Sequence, residues 1–390
     1  MIQPRLEPIR VMRVIARMNV GGPAVQVSGL LRGFNVEEFD QRLYTGYCSD
    51  FEEDYLRSVA TDLNAIRIEG FGRRISLMGD MRAFVFLVRE IRHFKPHVIH
   101  THTAKAGFIG RVASIISLHP SLRVHTFHGH LLNGYFGKFK RFLVITAERF
   151  LALFTHQLLA VGQKVSQDLL QVRIGTEKKF RLMPPGLIVG DLPSKETSQD
   201  FFGLSADRLQ CAFIGRVTHI KRPDRFLDVV HEIKKRNLEI DFFIAGDGEL
   251  LEECRKKVSD QSLPVTFLGW QTDIERVLSA ADIVVLTSDN EGTPLSLIQA
   301  GMAGLPVVTT DVGSVAEVVT RDVTGLITNL DVMEIANALE ILVKSPILRA
   351  SLGKEAQKFT LAHFGVKRLV DDHEALYKKL IADRKKFNLS

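Results

Sequence analysis

Apolar residues along the chain fall into short runs separated by longer stretches where they recur at helical spacing. Short apolar runs bounded by turn residues read as buried strands, and the longer stretches read as amphipathic helices. In the first half this pattern predicts strands over residues 11–16, 42–47, 65–68, 98–100, 124–127 and 158–161. In the second half it predicts strands over 211–214, 241–245, 266–268, 283–286, 307–309 and 326–327. The second-half strands end in turn signals such as Gly215-Arg216, Gly246-Asp247-Gly248, Gly269-Trp270, Ser288-Asp289 and Asp311-Val312-Gly313. Asp80 is placed to cap a helix with Phe84, Leu87, Val88 and Ile91 on its apolar face, and Pro96 stops it.

The alternation is the βαβ rhythm of doubly wound parallel sheets, and its repetition predicts an α/β chain of two Rossmann-like domains. Met183-Pro184-Pro185-Gly186, with Gly190 and the polar stretch 194–200, reads as the linker. The expected division is 1–187 and 188–365. A charge-interleaved helix over 366–390 either caps one domain or crosses back to the first. Two such domains facing one another leave a cleft between their strands' carboxyl ends, where open α/β sheets bind nucleotides.

Composition narrows the class. At 390 residues two domains are expected, and 45% hydrophobic with 25% charged residues excludes disorder. Cys48, Cys211 and Cys254 are scattered without a CxxC pair, which argues against a disulfide framework or zinc site and suits a reducing cytosol. The apolar run 142–161 carries Glu148, Arg149, His156 and Gln157, so it reads as a buried helix followed by a strand rather than a membrane span. Arg10 and Arg13 flank an apolar run that reads as a first strand rather than a signal peptide.

Charge is unevenly distributed. Residues 1–190 hold 26 Lys and Arg against 15 Asp and Glu, a net +11, and the rest of the chain is −5. The basic half is either ordinary solvated surface or the side that meets an anionic partner, a phospholipid surface or lipid phosphate. Lys138-Phe139-Lys140-Arg141-Phe142 and the Arg82/Arg89/Arg92 helix are the segments suited to an anionic membrane. No aromatic-interleaved basic segment or nucleic-acid-binding motif is present, so no nucleic acid is expected.

Four constellations carry candidate chemistry. Arg216 and Lys221 lie in the loop after the strand ending at Ile214, where two fixed cations suit a diphosphate. In Ser288–Ala300, Pro294 suits a first helical turn, and the free N–H groups near Leu295 and Ser296 suit a phosphate. Glu291 lies just before that turn, where a carboxylate can hold sugar hydroxyls, although alone it reads equally as a loop acid. Gly21 and Gly22 follow the first strand and permit close backbone approach. His100, His102, His128 and His130 follow strands of the first half and could line the cleft to recognise sugar hydroxyls, a structural hydrogen-bonding role fitting any one of them about equally. Their spacing does not form a recognisable zinc motif.

In order and spacing these pieces resemble the family 4 glycosyltransferases, retaining enzymes of the GT-B fold, and in particular capsule and exopolysaccharide members. The matching segments are Gly21-Gly22, His100–Gly107, His128-Gly129, Gly215-Arg216 with Lys221, Gly246–Gly248, Phe267–Trp270, and Glu291-Gly292-Thr293-Pro294 with Gly304 and Pro306 after it. The resemblance implies that Arg216 and Lys221 bind the donor diphosphate and that Glu291 holds the donor sugar. Gly292, Thr293, Leu295 and Ser296 meet sugar and phosphate. Gly21 and Gly22 approach the donor phosphates or the acceptor, and His128 contacts the sugar. His102 is expected among the binding residues. The family often has a second Glu where this chain has Gln299, whose carbonyl accepts a ribose hydroxyl without charge assistance.

The expectation is therefore a retaining, metal-independent transferase with no cofactor. It takes a sugar from a nucleotide-sugar, UDP being the commonest nucleotide, to a glycan or polyprenyl-linked saccharide. It is expected in the cytoplasm or at the inner face of the plasma membrane. A nucleotide-sugar epimerase of the same fold and a non-catalytic sugar-nucleotide-binding subunit are the alternatives.

Overall fold

The computed structural model describes residues 7–49, 52–129 and 138–387, with side chains in the last stretch described from Arg141 to Lys386. His130 and the side chains of Lys138, Phe139 and Lys140 lie outside the described residues. The chain forms two compact units, one of Met1–Gly186 with Val366–Ser390 and one of Leu187–Gly365.

The first unit runs β1 (Ile9–Ile15), α1 (Gly22–Gly33), β2 (Phe39–Thr45), α2 (Tyr55–Ser58), β3 (Ala65–Arg67), α3 (Leu77–Phe94), β4 (Val98–His102), α4 (Ala104–Ile116), β5 (Leu122–Phe127), α5 (Lys138–Phe154), β6 (Gln157–Ala160), α6 (Gln163–Gln171) and β7 (Phe180–Leu182). The strands pair in parallel in the order β3-β2-β1-β4-β5-β6-β7. Both faces of β1 are covered, which is why it reads as a nearly continuous apolar run. Val11 packs in a cluster with Leu30 of α1 and Phe34 at its C-cap. Met12 and Val14 pack with Ala83, Leu87 and Ile91 of α3 and with Ala106 and Ile109 of α4.

The second unit runs α7 (Lys195–Phe202), β8 (Leu209–Ile214), α8 (Pro223–Lys235), β9 (Ile240–Ala245), α9 (Leu251–Gln261), β10 (Val265–Gly269), α10 (Ile274–Ala280), β11 (Ile283–Leu286), α11 (Leu295–Met302), β12 (Val307–Thr310), β13 (Leu326–Thr328), α12 (Val332–Lys344) and α13 (Pro346–Phe364). Its sheet is also parallel, in the order β10-β9-β8-β11-β12-β13.

The predicted strands are present, most of them extended by a few residues. β7 was not anticipated; it is three residues long and half exposed, so it carries little apolar signal. Three local readings change. The expected polar linker at 194–200 is largely α7, capped by the Ser194 hydroxyl accepting from the Thr197 N–H, with Ser198 and Gln199 buried. The cap of α3 is Ser76, accepting from Gly79 N–H at 3.2 Å. Asp80 returns a bond to the Ser76 N–H at 3.1 Å, a reciprocal arrangement like a capping box. The helix within 142–161 is not fully buried. Leu151 and Ala152 turn inward, while Phe142, Leu143, Phe150 and Leu153 are exposed.

The last helix, α14 (Val366–Phe387), belongs to the first unit. Leu369, Val370, Leu376 and Tyr377 recur at helical spacing and cluster with Leu30 of α1 and Phe34 just after it. The approach is close because Gly33 has no side chain: a Cβ there would sit 2.4 Å from Val370 Cγ2. Val is stiff about χ1, so the clash cannot be relieved by rotation alone. Gly33→Val is therefore expected to lower stability by about 1–3 kcal/mol, read as a reduced urea midpoint for the first unit. An unchanged midpoint would mean that α14 shifts without cost.

Candidate functional site

In a parallel sheet every strand delivers its following loop to the same edge. In the second unit the loops after β8, β11 and β12 meet there, and they are tied together by hydrogen bonds. Thr287 Oγ1 donates to the carbonyls of Lys221 and Arg222 at 3.2 and 2.9 Å. Asp289 N–H donates to Ile220 O, and Arg225 bridges Thr287 O and the Asp289 carboxylate. Arg222, held at φ +52°, bonds Asp224 and Asp289. Thr310 Oγ1 donates to Ser288 O.

This frame fixes Lys221 and Glu291. Lys221 Nζ lies 2.5 Å from Glu291 Oε1, and the Ser288 hydroxyl donates to the same oxygen at 2.5 Å. Glu291 is 8% exposed. A carboxylate this enclosed needs a cation and hydrogen-bond donors, and it has both. Gly313 closes the far side at φ +56°. A Cβ there would fall 1.8 Å from the Glu291 carbonyl oxygen, so no other residue fits without moving the loop.

The remaining predicted residues of this unit lie in the same two loops or on α11. Arg216 is exposed, and its guanidinium makes no hydrogen bond or ion pair among the described residues. Gly292, Thr293, Leu295, Ser296 and Gln299 are half buried. Pro294 stands at the N-cap of α11 rather than inside its first turn, so the first helical residues are Leu295 and Ser296. No side chain caps α11, which leaves its first N–H groups available to an anion.

In the first unit, Gly21 caps α1 at φ +152°, and a Cβ there would meet nothing within 4 Å. Gly22 opens the helix. His100 and His102 take the structural role, which corrects the placement of His102 among the binding residues. His100 and His102 are 0% exposed, so neither offers its ring to solvent. His102 Nδ1 lies 3.0 Å from Nε2 of half-buried His128, so it supports the predicted sugar-contacting histidine from behind.

Behind them lies a buried polar cluster. Arg13 of β1 is 0% exposed and pairs with no carboxylate among the described residues. Its guanidinium donates to Gln41 Oε1 at 2.8 Å and to Tyr377 Oη at 3.1 Å, and Nη1 lies 3.2 Å from His100 Nδ1. It also lies 5.0 Å from the Phe34 ring centroid. A guanidinium only donates, so His100 Nδ1 accepts. The Tyr377 hydroxyl, 2.6 Å away, then donates to the same nitrogen. The proton of His100 sits on Nε2, facing Thr126 Oγ1 at 2.7 Å. Burial is the main cause holding His100, His102 and His125 well below the ordinary histidine pKa. It pushes His128 and His373 down to about 3. These rings are therefore neutral at physiological pH.

Two family comparisons cover most of the chain. Residues 20–189 match the family described as Glycosyltransferase Family 4, and residues 194–359 match Glycosyl transferases group 1. The chain belongs to glycosyltransferase family 4. This glycosyltransferase is 26% identical over 366 residues to the UDP-Gal:alpha-D-GlcNAc-diphosphoundecaprenol alpha-1,3-galactosyltransferase of Escherichia coli, covering 89% of this chain and 91% of that protein. It is 21% identical over 321 residues to the capsular polysaccharide biosynthesis glycosyltransferase CapM of Staphylococcus aureus, covering 80% and 84%. Among solved structures, HepE of Anabaena in complex with UDP-glucose superposes with a TM-score of 0.80 at 18% identity, over 95% of this chain and 99% of that one. That likeness places the glycosyltransferase in the GT-B fold.

Several residues of the glycosyltransferase site were not singled out by sequence. Ser288, Arg225 and Asp289 shape the Glu291 loop, yet each reads alone as an ordinary loop or helix residue. The Arg13 cluster had one signal, a charge inside an apolar strand, but its partners Tyr377 and His373 lie far along the chain. Among the described residues, no group of His, Cys, Asp and Glu is placed to hold a metal ion.

The buried histidines predict an acid dependence. Their folded pKa values lie below the unfolded value near 6.5, so the unfolded chain binds more protons once the pH falls below that value. Stability of the first unit should hold above about pH 6.5 and fall as the pH drops toward the folded values. Fully buried His373 should contribute up to about 1.4 kcal/mol per pH unit in that window, and half-buried His128 less. Urea midpoints across pH 4–8 check this, and His373→Gln should flatten the slope.

Proposed function

We propose that this glycosyltransferase moves a sugar from a nucleotide-sugar, a UDP-sugar by preference, to a saccharide carried on a lipid diphosphate, with retention of configuration and without a divalent cation. The observation that carries the reading is the pairing of Lys221 with Glu291 at the strand edge, beside the uncapped start of α11. With no ligand bound, each neutralises the other. A donor brings a partner for both: its diphosphate draws the ammonium, and its sugar hydroxyls donate to the carboxylate. Ser288 holds the carboxylate in place through the exchange. Gln299 is left to accept from the ribose.

In the reaction, the bond from the sugar's anomeric carbon to the diphosphate oxygen breaks, and its electron pair goes to that oxygen. Arg216, Lys221 and the N–H groups of α11 stabilise the charge that develops there. The acceptor hydroxyl oxygen forms the new bond on the face being vacated, and its proton passes to the departing phosphate oxygen. The side-chain cations and helix N–H groups supply the positive charge, so the reading requires no metal. Neutral His128 acts as a hydrogen-bonding group toward the sugar rather than as an acid. The Escherichia coli relative, whose name specifies UDP-Gal and a diphosphoundecaprenol-linked acceptor, supports the choice of donor and acceptor class. That chemistry belongs in the cytoplasm.

Calorimetric titration with UDP, GDP and ADP in EDTA tests the donor site. UDP should bind to wild type without metal and bind weakly to Lys221→Ala. Turnover of that variant, measured well below its thermal midpoint, should fall by about 10²–10³-fold, and the midpoint itself should drop because Glu291 is left enclosed without its cation. Near-normal turnover would remove Lys221 from the mechanism, and absence of nucleotide binding would sink the donor assignment.

A further inference from the structure

Three fully buried histidines of the first unit, His100, His125 and His373, follow one rule for where the ring proton sits. The His373 Nδ1–H donates to Leu369 O at 2.8 Å, so its Nε2 carries a lone pair. Thr101 uses its O–H on Val124 O, so it accepts from the His125 Nδ1–H at 2.8 Å, and His125 Nε2 is also a lone pair. Both of those Nε2 atoms are buried and have no partner among the described residues. The His100 Nε2–H, by contrast, has Thr126 Oγ1 at 2.7 Å. In these rings every N–H has an acceptor, and each nitrogen left alone is a lone pair. Burial favours that pattern, because orphaned N–H groups are rarer in protein interiors than under-used acceptors.

His102, the last residue of β4, can obey the same rule in only one way. Its ring is fully enclosed. Nδ1 lies 3.0 Å from His128 Nε2, while its own Nε2 is buried without a partner among the described residues. Two neutral rings share that contact, so one donates and the other accepts. If His128 donated, the proton of His102 would sit on Nε2 as a buried N–H with no acceptor. The cluster already holds one orphan donor, Nη2 of Arg13, whose positive charge acts on His102. If His102 donates from Nδ1, its Nε2 is a lone pair like those of His125 and His373. His128 then accepts at Nε2 and carries its own proton on Nδ1. That nitrogen makes no hydrogen bond among the described residues, and its ring is half buried.

We infer that His102 is a positioning residue for the sugar site: it locks His128 in the Nδ1-protonated tautomer, so the ring offers the sugar an N–H donor and not a lone pair. The inference rests on the proposed contact of His128 with the donor sugar. An N–H donor suits a group that can accept, such as a hydroxyl, a carboxylate or the carbonyl of an acetamido group. It is mismatched to an ammonium, which only donates, so a sugar with a free amine at that position is disfavoured. A hydroxyl that accepts from His128 keeps its own hydrogen for a second partner.

Nitrogen NMR of the full chain, labelled at histidine, reads the tautomer directly, because protonated and bare ring nitrogens resonate far apart. His128→Gln assigns the His128 signals. In wild type near neutral pH, Nδ1 of both His128 and His102 should be protonated and Nε2 bare. A proton on His128 Nε2 would overturn the inference. His102→Leu and His102→Asn then test the positioning. Both side chains branch at Cγ and leave the same space, but only the Asn amide can put an N–H where the Nδ1–H stood. His102→Leu should give His128 a mixture of tautomers and lower kcat/KM with a UDP-sugar about fivefold. His102→Asn should return both readings toward wild type. UDP affinity should be unchanged in both variants, which sets folding and the nucleotide site apart from the effect. Equal behaviour of the two variants would overturn the positioning role. Wild-type turnover in His128→Ala would overturn the sugar contact itself, and the wild-type spectrum distinguishes that failure from a wrong tautomer.

Discussion

An enclosed carboxylate must have its charge met by the protein around it, and much of the second unit's strand edge is organised by that requirement at Glu291. Lys221 and Ser288 meet the charge at one oxygen. Lys221 can do so because its backbone carbonyl is held by Thr287 and the following Arg222 is pinned to Asp224 and Asp289. Gly313 lets the loop after β12 close against the Glu291 backbone. Three loops distant in sequence are thus locked by one local electrostatic demand. The pair they hold satisfies both of its charges internally.

The first unit meets a related demand in a different way. Arg13 is a buried cation surrounded by neutral acceptors and aromatic rings rather than by an acid. Such a charge discourages a second positive charge nearby, and Arg13 contributes in that direction at His100, His102 and His373 after burial. The two units therefore place different electrostatics at their strand edges. One holds a lysine against an enclosed carboxylate, and the other keeps its histidines neutral.

The alternation of strands and helices was legible in the sequence because parallel strands buried on both faces leave dense apolar runs. β7 escaped because it is a short edge strand with little to bury. The polar stretch at 194–200 was misread because α7 is short and mostly exposed, and its helical signature was the Ser194 cap rather than its hydrophobicity. Arg216, Lys221 and Glu291 were visible because each sits in a loop with a strong turn signal after a strand. His102 was misplaced because it is the last residue of β4 rather than part of the loop beyond it, and the sequence does not show which way its ring packs. The Arg13 cluster could not be read from the sequence, since it joins positions more than three hundred residues apart through contacts specific to this fold.

The return of α14 to the first unit has a consequence for how the chain matures. The second unit is, in effect, an insertion within the first. During synthesis it can emerge from the ribosome whole and fold. The first unit cannot: until α14 appears, Leu30 and Phe34 lack part of their cover and Arg13 lacks the Tyr377 hydroxyl. The half of the protein that begins first is thus completed last, and a chain interrupted near its end would carry a finished second unit beside an open first one.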